Sequence, residues 1–267
     1  MISCKEYVSL RKAELQKQIQ NMSKQPCLVV FQIDENPASN AYIRGKKKDC
    51  SELGIKCVHV QYSSLGLSQE KFERLLTEFG RSDDIYGMMI QLPIPKIYNL
   101  SRLLDCIPKE KDVDGFRKDS FFQSCTPKGI MDWLAYNRVN VLGKKVCVVG
   151  RSEIVGKPLV NLLIDAGATV ICCNSHTKDL QTLTKWADIV VTAIGQPNWF
   201  TKEYFTENQI VIDVGINRDQ QGKLCGDVSN ISGVKSYVTS VPGGVGLLTR
   251  LTLMENTVQA CLHQMKE

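Results

Sequence analysis

The chain has 267 residues, roughly two domains at ~150 residues each. Its composition, 43% hydrophobic, 23% charged and 7% aromatic, excludes a disordered tail, a collagen-like repeat and a minimal disulfide scaffold. Lys and Arg total 33 against 28 Asp and Glu, a net charge of +5, which is mild over this length and suits an anionic small ligand. No stretch reaches the ~18–20 apolar residues of a membrane helix. The first residues lack an apolar signal core, and Glu6 and Glu14 are foreign to an acid-poor transit peptide. The 11 cysteines contain no C-x-x-C pair and are accompanied by three histidines, so zinc is not expected. Cys27, Cys57, Cys147, Cys172 and Cys173 lie inside apolar runs, where thiols pack as small hydrophobes in a cytoplasmic protein.

A helix is predicted over 5–23, with Val8, Leu15, Ile19 and Met22 on one face. A buried strand follows at 27–33. Pro37 opens a second helix that Gly54 closes. Residues 55–61 read as a strand, Ser68 caps the next helix, and 86–91 is a short apolar strand. This alternation without hairpin turns predicts parallel pairing in an α/β sheet. The polar stretch 117–126 marks a boundary, with a first domain at 1–117, completed by a C-terminal helix (247–267), and a second at 118–246. After the boundary come a helix from Pro127, strands at 144–150, 168–174, 187–195 and 209–215, and a long amphipathic C-terminal helix. The fold class is thus α/β with two domains, the second a Rossmann-like, doubly wound parallel sheet.

The run KKVCVVGRSEIVGKP ends a strand at Gly150 and places Gly156 where a helix starts. Such a turn brings backbone amides close to a phosphate at a helix N-terminus. An NAD site usually carries an acid at the end of the next strand. Here that strand ends in Asn174, Ser175, His176 and Thr177, while Arg151 stands in the first turn. A cation and hydroxyls without an acid favour the 2′-phosphate of NADP over NAD.

Tyr42 and Lys46 are four residues apart and share one helix face. The basic run Arg44–Lys48 reads either as a solvated face or as the surroundings of a buried Lys46 with a depressed pKa. It lacks the interleaved aromatics of a nucleic-acid reader. Gln91 and Asp114 stand at the ends of apolar or turn segments, in IQLPIP and KDVDGF.

Seven segments in one order, NPASNAYIRGKKKDCSELG, IQLPIP, KDVDGF, CTPKGI, GRSEIVGKP, VIDVGIN and VPGGVG, closely resemble the methylenetetrahydrofolate dehydrogenase/cyclohydrolase family. The resemblance implies a folate cleft between a catalytic and an NADP domain. It implies oxidation of 5,10-methylenetetrahydrofolate to the methenyl form, then hydrolysis to 10-formyltetrahydrofolate, in one-carbon metabolism and purine biosynthesis. By the same resemblance the catalytic lysine is Lys46 and its partner Gln91. Tyr42 lines the folate beside Leu92, Asp114 holds the pterin, and Pro242, Gly243, Gly244 and Gly246 form a loop over it. The cofactor residues implied are Gly150, Arg151, Ser152, Ile154, Gly156, Ser175, His176, Gly195 and Ile216. A cytoplasmic homodimer, without membrane or nucleic-acid partners, completes the expectation. The chain departs from the family in the short segment RKDSFFQS after Phe116, in Asn174 and His176 around Ser175, and in Ser240 and Leu247 where relatives carry prolines. A folate- or nucleotide-binding protein of reduced activity is the alternative those departures suggest; retention of Lys46, Gln91 and Asp114 speaks against it.

Overall fold

A computed structural model describes residues 4–229, 231 and 237–265. It divides into two compact units, one of Leu10–Cys125 with Arg250–Glu267 and one of Thr126–Thr249 with Met1–Ser9. The N-terminal helix, α1 (Cys4–Gln20), therefore contributes to both.

In the first unit, β1 (Cys27–Ile33), α2 (Pro37–Leu53), β2 (Lys56–Tyr62), α3 (Gln69–Gly80), β3 (Gly87–Ile90) and the short α4 (Leu100–Asp105) follow one another. The strands form a parallel sheet in the order β2-β1-β3. All seven residues of β1 are buried, because strand side chains alternate and helices cover both faces. Leu28, Val30 and Met89 pack on Ile43, Cys50 and Leu53 of α2 and on Met254 and Val258 of the C-terminal helix. Val29, Phe31, Met88 and Ile90 pack on Phe72 and Leu76 of α3 and Leu103 of α4. Gly54, at φ 81, follows the last residue of α2 in the left-handed conformation that ends a helix without a Cβ penalty. Ser68 accepts from the Lys71 amide at the start of α3. The buried Lys111 donates to the carbonyls of Gly80 and Ser82 at 3.0 and 2.8 Å, fixing the turn that carries Asp112 and Asp114 to the end of α3. The segment after Phe116 is held to the same unit. The Arg117 guanidinium donates to the carbonyls of Leu104, Asp105 and Ile107, and Ser120 Oγ donates to the Asp112 carbonyl.

In the second unit, α5 (Cys125–Tyr136) leads to β4 (Lys145–Val149), α6 (Gly156–Asp165), β5 (Thr169–Cys173), α7 (Leu180–Trp186), β6 (Ile189–Thr192) and β7 (Ile210–Asp213). The two-residue strands β8 (Asn217–Arg218), β9 (Leu224–Cys225) and β10 (Tyr237–Val238) precede α8 (Val245–Gln264). Five parallel strands lie in the order β10-β7-β6-β4-β5. The chain turns back after β5 to continue on the other side of β4. The strand order thus reverses beside β4, and in such sheets ligands bind at the carboxyl ends of the strands flanking that reversal. Among the described residues no helix is long and apolar enough to cross a membrane.

Candidate active site

In the first unit Tyr42 and Lys46 stand on α2, Gln91 and Leu92 follow β3, and Asp114 lies in the turn after α4; the structure brings Lys46, Gln91 and Asp114 together. Lys46 is 5% exposed. Its Nζ donates to Gln91 Oε1 at 2.8 Å and lies 3.1 Å from Met89 Sδ. Met89 and Gln91 are two residues apart, so the strand directs both toward α2. Gln91 Nε2 donates to the Leu92 carbonyl at 2.8 Å, and Ser39 Oγ reaches the same carbonyl at 3.3 Å. The amide of Gln91 is thus locked, with its oxygen turned to the amine.

Burial pushes the Lys46 amine below its ordinary range, and the negative charge of Asp114 opposes that shift. Burial likewise lifts the Asp114 carboxyl to about 6, with Lys46 working against the rise and Asp112 adding to it. The thiol of Cys125 lies 3.3 Å from the Val113 carbonyl and also hydrogen-bonds the Asp114 carboxylate. Asn256 of α8 donates to the Val113 carbonyl at 2.9 Å. Gly115 closes this turn at φ 70, and a Cβ there would lie 2.5 Å from the Gln123 backbone. Tyr42 is half-buried, and its hydroxyl is pushed up by burial with Arg250 as the opposing charge. The Arg250 guanidinium occupies the space over Gly45 and pairs with Asp49 at 3.0 Å.

In the second unit, Gly150 has φ 122, and a Cβ on it would lie 2.2 Å from the Ala193 carbonyl oxygen. A Cβ on Gly156 would lie 2.1 Å from the Gly150 oxygen. Both glycines are what lets β4, β6 and α6 close into a backbone cradle. Ser152 Oγ accepts from the amides of Val155 and Gly156, each at 3.3 Å, so its hydroxyl serves the first turn of α6. Arg151 is exposed and Ile154 partly so. The charges of Arg151 and Lys157 both act on the Cys172 thiol in β5, which places two cations near that strand's end. Ser175 and His176 are exposed there, in a turn where Asn174 Oδ1 accepts the His176 amide at 3.0 Å.

Gly195 and Ile216 lie on loops tied together by buried carboxylates. Asp227 accepts from the amides of Ile194, Gly195 and Gln196 at 2.7, 3.2 and 2.9 Å, and from Asn217 Nδ2 at 2.9 Å. Asp213 accepts from the amides of Gly215, Asp227 and Val228 at 3.0, 3.0 and 2.9 Å. Pro242, Gly243 and Gly244 belong to this unit, in the loop that enters α8, and Gly246 lies in the first turn of that helix. A Cβ on Gly244 would lie 2.3 Å from the Ser240 carbonyl oxygen. Sequence reading does not find Ser39, Met89, Cys125, Asn256, Arg250, Asp213 or Asp227, although several stand inside the quoted motifs; their roles depend on partners far along the chain.

A doubly wound nucleotide unit, in a chain whose other unit buries an amine against an amide and a carboxyl, defines a nucleotide-dependent enzyme of two α/β domains. The family model described as the tetrahydrofolate dehydrogenase/cyclohydrolase catalytic domain matches residues 2–114, and that of the NAD(P)-binding domain matches residues 124–265. The chain belongs to the tetrahydrofolate dehydrogenase/cyclohydrolase family. It is 38% identical over 275 residues to the bifunctional protein FolD of Anoxybacillus flavithermus, covering 98% of this chain and 97% of the relative. To that of Bacillus cereus it is 40% identical over 279 residues, covering 97% and 96%. The bifunctional methylenetetrahydrofolate dehydrogenase/cyclohydrolase of Campylobacter jejuni superposes with a TM-score of 0.93 at 36% identity, over 98% of each chain. The dehydrogenase-cyclohydrolase of Trypanosoma brucei, solved with NADP and an inhibitor, gives 0.92 at 27% identity, over 100% of this chain and 98% of that one.

Between the ordinary aspartate value of 3.8 and about 6, folded Asp114 keeps a proton that the unfolded chain has released. This carboxyl therefore costs stability as pH rises through that window. Asp114→Asn removes the titration. In urea denaturation the variant is expected to gain on the parent by up to about 3 kcal/mol between roughly pH 4 and pH 7. A difference that does not change with pH contradicts the burial of this carboxyl.

Proposed function

We infer that the protein oxidises 5,10-methylenetetrahydrofolate to 5,10-methenyltetrahydrofolate with NADP and hydrolyses the product to 10-formyltetrahydrofolate. The observation that carries the reading is the buried Lys46 amine held by Gln91 within the field of Asp114. Family membership supplies the substrate class.

The backbone cradle at Gly150 and Gly156, with Arg151 near the end of β5, fits a dinucleotide carrying a 2′-phosphate. Gly150, Arg151, Ser152, Ile154, Gly156, Ser175, His176, Gly195 and Ile216 would hold it. When bound, NADP supplies the hydride acceptor. The oxidation needs no protein acid or base; it needs the two ligands held in register. Tyr42 and Leu92 position the folate, and the Asp114 carboxylate accepts from the amino and N–H groups of the pterin. Hydrolysis needs a proton taken from the water that attacks the methenyl carbon. Lys46 Nζ, whose pKa burial lowers, takes that proton. Gln91 holds the nitrogen at the reacting position. We further propose that the protein works in the cytoplasm, as its free thiols suit, and as a homodimer, which sedimentation tests.

Lys46→Met is expected to lose hydrolysis of methenyltetrahydrofolate, followed by methenyl absorbance; hydrolysis at the parent rate removes Lys46 from the role. Arg151→Ala is expected to weaken NADP binding roughly 10- to 100-fold, the worth of one charge-assisted contact, and to leave NAD binding nearly unchanged. Equal losses for both nucleotides remove Arg151 from the 2′-phosphate.

A further inference from the structure

Gly45 stands inside α2, one residue before Lys46, where glycine is a poorer helix former than alanine. What it admits is the side chain of Arg250, which comes from α8 in the same unit. A Cβ on Gly45 would lie 1.9 Å from Arg250 Nη1 and 3.0 Å from the guanidinium carbon. The guanidinium therefore rests directly on the helix backbone. It is anchored there at one end. Arg250 Nε pairs with Asp49 Oδ2 at 3.0 Å, and Lys12 Nζ donates to Asp49 Oδ1. Asp49 is 3% exposed and lies one turn after Gly45 on the same helix face.

The other end is open. Among the described residues neither Nη1 nor Nη2 donates to a protein acceptor, and the side chain keeps 24% of its exposure. Asp49 does not consume the fork, because it meets Nε alone and shares its charge with Lys12. An arginine that served only to meet water would need neither a glycine inside a helix nor a buried carboxylate behind it. A paired Nη1 and Nη2 match the two oxygens of a carboxylate.

We propose that Arg250 binds a carboxylate of the substrate's glutamate tail through its Nη pair, with Asp49 and Gly45 positioning the guanidinium. This rests on the reading of Lys46 and Tyr42 as folate residues given above. At 3.6 residues per turn, Tyr42 lies about 40° and Gly45 about 100° round α2 from Lys46, in the same sense. Amine, tyrosine and guanidinium thus form an arc in that order. Tyr42 and Gly45 are three residues apart, the spacing of neighbours on a helix surface, and the Arg250 charge acts on the Tyr42 hydroxyl. The substrate is built in the matching order. Its one-carbon unit bridges the pterin to the nitrogen of the p-aminobenzoyl ring, and the far end of that ring carries glutamate. With the reacting carbon at Lys46 and the ring at Tyr42, the carboxylates come to Arg250.

The test is steady-state hydrolysis by the full-length protein of 5,10-methenyltetrahydrofolate and of 5,10-methenyltetrahydropteroate, the second lacking the glutamate. Arg250→Met is expected to raise KM for the folate roughly 10- to 100-fold, the worth of one charge-assisted contact, with kcat retained. Its KM for the pteroate should match the parent's. Gly45→Ala favours the helix and drives the guanidinium off α2, so it too should raise KM for the folate alone, with Arg250 itself unaltered. Arg250→Lys keeps the charge and loses the fork, and should fall between the parent and Arg250→Met. An equal rise in KM for both substrates, or a loss of kcat with KM unchanged, overturns the proposal, since either makes Arg250 a support of α2. A parent that hydrolyses both substrates with the same KM overturns it as well. A parent that hydrolyses neither contradicts the folate reading itself, and this proposal with it.

Discussion

The site in the first unit depends on one 2.8 Å hydrogen bond, from the buried amine of Lys46 to the amide oxygen of Gln91. An ammonium taken out of water is costly unless it is paired or loses its proton. Asp114 supplies the opposite charge that works against the downward shift of Lys46, and Lys46 in turn works against the upward shift that burial imposes on Asp114. The rest of the arrangement follows from keeping those two groups in place. Gln91 is oriented through Leu92, Leu92 is shared with Ser39, and the turn bearing Asp114 is tied to α3 by Lys111 and to α8 by Asn256. These supports come from several elements of the sheet layer, so the positions of the amine and the carboxyl are fixed by the packing of the unit.

The second unit solves a different problem by a related device. Loops at the carboxyl ends of parallel strands must present backbone amides to a ligand while being held from below. Gly150 and Gly156 remove the Cβ atoms that would keep β4, β6 and α6 apart. Asp213 and Asp227 then supply acceptors for the loop amides after β6 and β7. Carboxylates that accept several backbone donors bear burial at modest cost, because each lone pair has a partner.

Legibility in the sequence followed length and locality. The long strands and helices are periodic enough to read, from β1 through α8, within a few residues at their ends. The two-residue strands β8, β9 and β10 and the short α4 and α7 carry too few side chains for any period to show. The pairing of Tyr42 with Lys46 on one helix face is local and was readable. The contact of Lys46 with Gln91 spans 45 positions, and that of Asn256 with Val113 spans 143; no spacing rule reaches so far. Ser152 shows the limit of motif reading within a turn, since its hydroxyl is engaged by the first amides of α6, which a glycine pattern does not reveal.

Lys46 is a desolvated amine held by Gln91, and its own titration reports on that environment. Protein carrying lysine labelled with carbon-13 at Cε is titrated by NMR, and the Lys46 resonance is assigned by its loss in a Lys46→Met sample. A midpoint clearly below the ordinary lysine value of 10.5 is expected, with a resonance that moves when Gln91 is replaced by leucine. A Lys46 that titrates with the surface lysines, at the ordinary value and indifferent to Gln91, would contradict it.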